Sequence, residues 1–168
     1  MGREMTELEQ LLIGDGAAAA PADLLEGLTT ELAMMPIQGA PHTIYQELWH
    51  IAFWQQITLD WIQGVETPFP AHASAGFPNQ DELWLETWDQ LRERFFRGVG
   101  QAAWVAQSAP GLDQSILCPS RPGLSPRTMT VREQLENLAV HNAYHFGRIV
   151  LLRQLLQSWP PPKGGYTW

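Results

Sequence analysis

Apolar positions recur every three or four residues along most of this chain, and no stretch alternates with the two-residue period of a half-buried strand. The clearest run covers residues 131–156, where Val131, Leu135, Leu138, His141 with Asn142, His145, Ile149, Leu152 and Leu156 share one rhythm. Thr130 and Glu133 supply a capping box at its start. Trp159-Pro160-Pro161-Pro162 ends it, because proline lacks an amide hydrogen and crowds the preceding turn.

A second helix is predicted between Thr43, its cap with Gln46 reaching back, and Gly64, a C-terminal signal. One face carries Ile44, Leu48, Ile51 and Leu59; another carries Glu47, His50, Trp54, Ile57 and Trp61. Apolar residues on both faces predict burial on two sides, inside a bundle or between a bundle and a partner. A third helix is expected from Asn79 or Asp81 to about Gln107, capped by Asn79 with Glu82 and striped by Trp84, Trp88, Leu91, Phe95, Val99 and Ala102. The N-terminal region reads as a broken helix, with "EMTELEQLLI" interrupted by "GDGAAAA" and resumed near Pro21.

Proline-rich loops separate these helices at 64–79 and 108–129, and the second is long enough to serve as a lid or rim. Four principal helices and no strand define an all-α class, a four-helix bundle with a broken N-terminal helix, residues 1–168 forming one domain.

Composition narrows the function classes. With 45% apolar and 17% charged residues, the chain buries a core rather than remaining disordered. A net charge of −8 opposes a nucleic-acid footprint, which requires a basic face. No apolar run is long enough to span a membrane, and the acidic start "MGREMTELEQ" lacks the basic region of a secretion signal. The single cysteine, Cys118, excludes an internal disulfide and fits a cytoplasmic protein. It has no base near it in sequence, so we read it as structural. Eight tryptophans call for a large interior or an interface.

The candidate chemistry lies in the histidines. His141 and His145 stand four apart on one helix face, close enough for both to ligate a single ion. Burying two rings on an apolar face is equally met by ordinary core hydrogen bonds, so spacing alone leaves both readings open. His50 faces inward on the second helix and is a candidate third ligand. His42 precedes a helix cap and His72 sits in "FPAHASAGF"; both are expected to be solvated, with His72 a possible rim residue.

"ELWHIAFWQ" followed far downstream by "HNAYHFGRIVLLR" resembles the DinB superfamily of helical bundles, which includes the YfiT-like proteins described as metal-dependent hydrolases. The resemblance extends through "GAPHTIYQELWH" and "LLQSWPPPKGG", and its H…HxxxH order is complete in this chain. It implies that His50, His141 and His145 bind a divalent metal. It implies a homodimer as well, and a link to stress responses in bacteria.

Three imidazoles leave a coordination position open, the pattern of a catalytic rather than a closed structural site. Zinc or nickel suits nitrogen ligands, and sequence does not choose between them. Glu47, one turn before His50, is the candidate for an orienter or general base, and Asn137 a candidate contact. Asn142 and Tyr144 are expected to point elsewhere, and Arg121, Arg127 and Arg148 to be solvated rather than grouped around a substrate. The resemblance implies a metal-dependent enzyme acting on a small-molecule substrate with a low-molecular-weight thiol, an S-transferase type. The alternatives are a hydrolase using metal-activated water and a non-catalytic metal-binding or interaction protein.

Overall fold

The computed structural model describes residues 4–14 and 19–164. Its elements are helices α1 (Glu7–Ile13), α2 (Pro21–Leu24), α3 (Thr30–Met34), α4 (Ile44–Ile62), α5 (Trp88–Ala106), α6 (Ala109–Leu112) and α7 (Val131–Leu155), with strands β1 (Ser115–Cys118) and β2 (Arg127–Thr130). Short 3-10 turns at Ala73–Gly76 and Glu82–Trp84 interrupt the long connection between α4 and α5.

Helix α4 packs against both α5 and α7, as its two apolar faces require, and α1 closes the bundle against α5 and α7. The N-terminal region is broken more thoroughly than a single interruption, into α1 and two one-turn helices. The capping boxes predicted at Thr43–Gln46 and Thr130–Glu133 are formed.

Two apolar clusters fill the interior. One joins Leu25, Ile44, Leu48, Ile51, Trp88, Leu91, Phe95 and Ile149; the other joins Leu59, Trp61, Ala102, Leu112, Ile116, Cys118, Leu135 and Leu138. Helix α5 approaches α4 closely at Gly98, where a β-carbon would stand 1.8 Å from Gln55 Nε2. That clearance lets buried Gln55 cross to the Phe95 carbonyl and donate to it at 2.9 Å.

Two expectations from the sequence are corrected. The segment 108–129 is not strandless: β1 and β2 pair antiparallel from Ser115 with Thr130 to Cys118 with Arg127. Four-residue strands are too short to show a period in sequence, although Ile116 and Cys118 do alternate inward with exposed Ser115 and Leu117. The helix expected from residue 79 or 81 starts at Trp88, capped by Thr87 and Gln90. Asn79 and Glu82 do form their reciprocal bonds, but around the 3-10 turn, and Trp84 is exposed rather than part of the stripe. Tertiary contacts hold the true start: Tyr45 Oη donates to the Glu86 carbonyl at 2.8 Å, and Arg94 grips the Glu86 carboxylate with two bonds at 2.9 and 2.8 Å.

No described helix is long and apolar enough to cross a membrane.

Candidate metal centre

His50 comes from α4, and His141 and His145 from successive turns of α7, so the packing of these two helices brings all three together. Their ligand nitrogens lie within 4.8 Å of one another, and His50 Nε2 stands 3.1 Å from His141 Nε2. Two nitrogens bound about 2.0–2.1 Å from one ion at ordinary coordination angles are separated by about 3 Å.

The far side of each ring is turned to an acceptor. His50 Nδ1 donates to the Gly76 carbonyl at 2.6 Å, and His145 Nδ1 donates to Glu47 Oε2 at 2.7 Å. His141 Nδ1 lies 3.4 Å from Asn142 Oδ1, a longer contact of the same kind. A carbonyl and a carboxylate accept only, so Nδ1 carries a hydrogen in His50 and His145, and Nε2 is the nitrogen each ring, when neutral, offers to a ligand. Convergent lone pairs repel unless a cation stands among them. Burial pushes His50 down to about 4, and burial with the nearby His145 does the same to His141, so both rings are neutral and ready to ligate near pH 7. On this geometry the three histidines can hold a divalent metal.

A model of the DinB superfamily matches residues 15–149, most of the chain. The chain belongs to the DinB superfamily. No curated protein matches it in sequence.

In this DinB chain the group opens onto a cavity of about 540 Å³. Trp54, Phe69, Phe77 and Tyr144 give it aromatic walls, while His72, Asn137, Arg121 and Arg127 reach it from its rim. His72 is exposed and holds Ser74 Oγ through Nδ1 at 2.7 Å. Phe77 lies flat between two imidazoles, 3.7 Å from His42 and 4.1 Å from His50 between ring centres.

Glu47 is fully buried behind His145 and does not line the cavity. Its Oε1 faces Arg148 Nη2 at 2.8 Å, a charge pairing not aligned as a hydrogen bond. Its Oε2 is taken by His145.

Several residues stand elsewhere than the sequence suggested. His42 is half-buried, stacked on Phe77 and 3.4 Å from Glu47 Oε1, and burial lowers its pKa. Asn142 stays out of the cavity, as expected, with its Oδ1 near the outer nitrogen of His141, whereas Tyr144 stands edge-on to His145 in the cavity wall. Arg148 pairs with Glu47, whereas Arg121 and Arg127 are exposed as expected, although both line the one cavity. Gly76 was not singled out. Its only sequence signal is a glycine in a loop that already holds a histidine, yet a β-carbon there would come within 3.2 Å of the His50 ring and of Trp54 Nε1. Cys118 is buried, with its thiol pushed up by burial and no histidine in contact, which fits a structural residue.

Proposed function

We propose that this DinB chain is a metal-dependent enzyme of the S-transferase type, with His50, His141 and His145 holding zinc or nickel and a low-molecular-weight thiol as co-substrate. The observation that carries the reading is the convergence of one ring nitrogen from each of His50, His141 and His145, within 4.8 Å of one another, in residues that line an aromatic-walled cavity. A divalent ion bound there supplies a Lewis-acidic position that lowers the pKa of a thiol or a water.

The chain's own residues divide the remaining work. Gly76 and Glu47 fix the tautomer and angle of His50 and His145, the role that outer hydrogen-bond partners of metal-binding imidazoles commonly take. Trp54, Phe69 and Phe77 narrow the access of water, and Tyr144 and Asn137 meet the substrate.

Glu47 has the same place in this reading and in the hydrolase alternative. Both its oxygens are engaged and neither reaches the cavity, so it serves as an orienter and not as a general base for water. The thiol titration below, rather than Glu47, therefore decides between thiol and water, since the ion itself can release the proton of either to solvent. The homodimer expected from the resemblance would cover the outer face of α7, where Val140, Leu151 and Leu155 stand exposed.

The test begins with elemental analysis of untagged protein beside a His50→Ala/His141→Ala/His145→Ala variant. About one equivalent of metal in the parent and none in the variant is expected, given three protein ligands to one ion. The cobalt form is then titrated with bacterial thiols, whose binding shifts its visible spectrum. A loaded protein indifferent to every thiol, yet active on esters or phosphoesters with a rate rising near pH 7, replaces the transferase with the hydrolase. A metal-loaded protein without turnover, recovered in a stable complex with a cellular partner, favours the non-catalytic reading.

A further inference from the structure

The cavity has an electrically distinctive end. The chain carries 18 acidic residues against 10 lysines and arginines, so a basic side chain without an acidic neighbour is unexpected. Among the described residues, Arg92, Arg94, Arg97, Arg132, Arg148 and Lys163 each pair with a carboxylate. Arg153 is buried and donates to the Leu24 and Ser158 carbonyls. That leaves Arg121 and Arg127, and both line the same cavity.

The two are held differently, both are exposed at the cavity, and neither has a carboxylate partner. Arg127 sits on β2 directly opposite Cys118, whose side chain is anchored in the core, so the hairpin fixes its position. Arg121 belongs to the turn between the strands, closed by the Leu124 amide on its own carbonyl at 3.0 Å. Its guanidinium stands over the Phe69 ring, 5.9 Å from the ring centre, while the residue as a whole stays exposed. Two guanidiniums offer paired donors suited to a carboxylate or phosphate, and they are worth far more beside an apolar wall than in open water.

We propose that Arg121 and Arg127 form an anion-recognition subsite, so that the cavity takes a small molecule with a planar or apolar body and a terminal carboxylate or phosphate. Resting on the metal-site reading above, the inference names the substrate class of that site. The anionic end pairs with the hairpin arginines, the body lies along Phe69 and Trp54, and the reactive end faces the three histidines. Arg121 and Arg127 are thus specificity determinants and take no part in the chemistry.

The experiment is a ligand-observed NMR titration of full-length protein, as purified and after removal of metal by a chelator. The probes are benzoate, phenyl phosphate and the uncharged isostere benzamide. In the metal-free protein an anion is expected to bind at least about tenfold more tightly than benzamide, as a charge-assisted contact predicts. That preference should vanish in Arg121→Gln/Arg127→Gln, survive in part in Arg121→Lys/Arg127→Lys, and be untouched by Arg92→Gln. Circular dichroism and metal content should match the parent in all of them. Tighter binding of phenyl phosphate identifies phosphate as the terminal group, and tighter binding of benzoate identifies carboxylate.

Equal affinity for benzoate, phenyl phosphate and benzamide overturns the proposal. So does the absence of any binding up to about 50 mM, or a preference that persists in the glutamine double variant. The two readings fail separately. A protein that prefers anions but never holds metal loses the metal site and keeps the subsite; one that holds metal and treats all probes alike loses only the subsite.

Discussion

Glu47 Oε2 accepts a hydrogen bond from His145 Nδ1 at 2.7 Å while Oε1 faces Arg148 at 2.8 Å, with the carboxylate itself wholly out of water. The carboxylate thus connects a proposed metal ligand to the cation that neutralises it. Glu47→Gln keeps an acceptor for Nδ1 but removes the charge. Metal affinity should fall about 10- to 100-fold, the usual cost of losing such a partner. Arg148 is partly exposed and can rehydrate, so the stability loss should be about 1–3 kcal/mol, below that for a fully buried pair. Competition with a chromophoric chelator and a denaturant titration measure the two effects. Affinity within twofold of the parent would remove Glu47 from the site.

Gly76 is the corresponding partner of His50, and here backbone does the work. A β-carbon would meet His50 Cε1 and Nδ1 and Trp54 Nε1, each at 3.2 Å, so the turn must lift or the ring must tilt. Gly76→Ala should weaken metal binding by about tenfold, at the low end of such partner losses. Gly76→Val should weaken it further. Unfolding midpoints should barely change, because the turn lies outside both apolar clusters. If Gly76→Val binds metal like the parent, the Gly76 carbonyl does not orient His50.

The contrast between these two partners shows what the sequence could disclose. Helical periodicity placed Glu47, His50, His141 and His145 on inward faces, because side-chain direction along a helix follows from spacing alone. Caps such as Thr43–Gln46 were legible for the same local reason. Gly76, Phe77 and His42 were not, since their places depend on how the 64–79 loop folds back over α4. There Trp61 Nε1 donates to the Thr67 carbonyl at 2.7 Å and Phe69 packs 5.1 Å from Trp54 between ring centres. Arg121 and Arg127 were hidden for a like reason, as two four-residue strands carry too short an alternation to announce a hairpin. Trp84 was misplaced because two capping signatures compete within eight residues, and Tyr45, remote in sequence, selects the second together with Arg94 from the next helix turns.

Gly98 tests packing apart from the site. Alanine is favoured over glycine in a helix by about 1 kcal/mol. Here its β-carbon would fall 1.8 Å from Gln55 Nε2 and 2.7 Å from Cδ, forcing Gln55 off the Phe95 carbonyl in a buried setting. Overpacking and a lost buried hydrogen bond together cost about 2–4 kcal/mol. The clash outweighs the propensity, and Gly98→Ala should lose about 1–3 kcal/mol with metal content unchanged. Adding Gln55→Ala should recover part of that loss. A stabilised Gly98→Ala single variant would show that α4 and α5 are not packed this closely.

The last prediction concerns acid. In the unfolded chain His50 and His141 take up a proton near the ordinary value of 6.5; in the folded, metal-free protein burial holds both down to about 4. Between those values the unfolded state binds more protons, so stability rises with pH across the window. The contribution is complete above about pH 6.5 and is lost as pH falls toward 4. The metal-free parent should therefore show a denaturant midpoint that drops from pH 7 to pH 5. In His50→Gln/His141→Gln that drop should shrink, because the rings that must stay neutral are gone. The carboxylates are the same in both proteins, so the difference between the two pH profiles isolates the histidines. Parallel profiles would mean that His50 and His141 are hydrated in the empty site, and that the readiness of their lone pairs near neutrality comes from something other than burial.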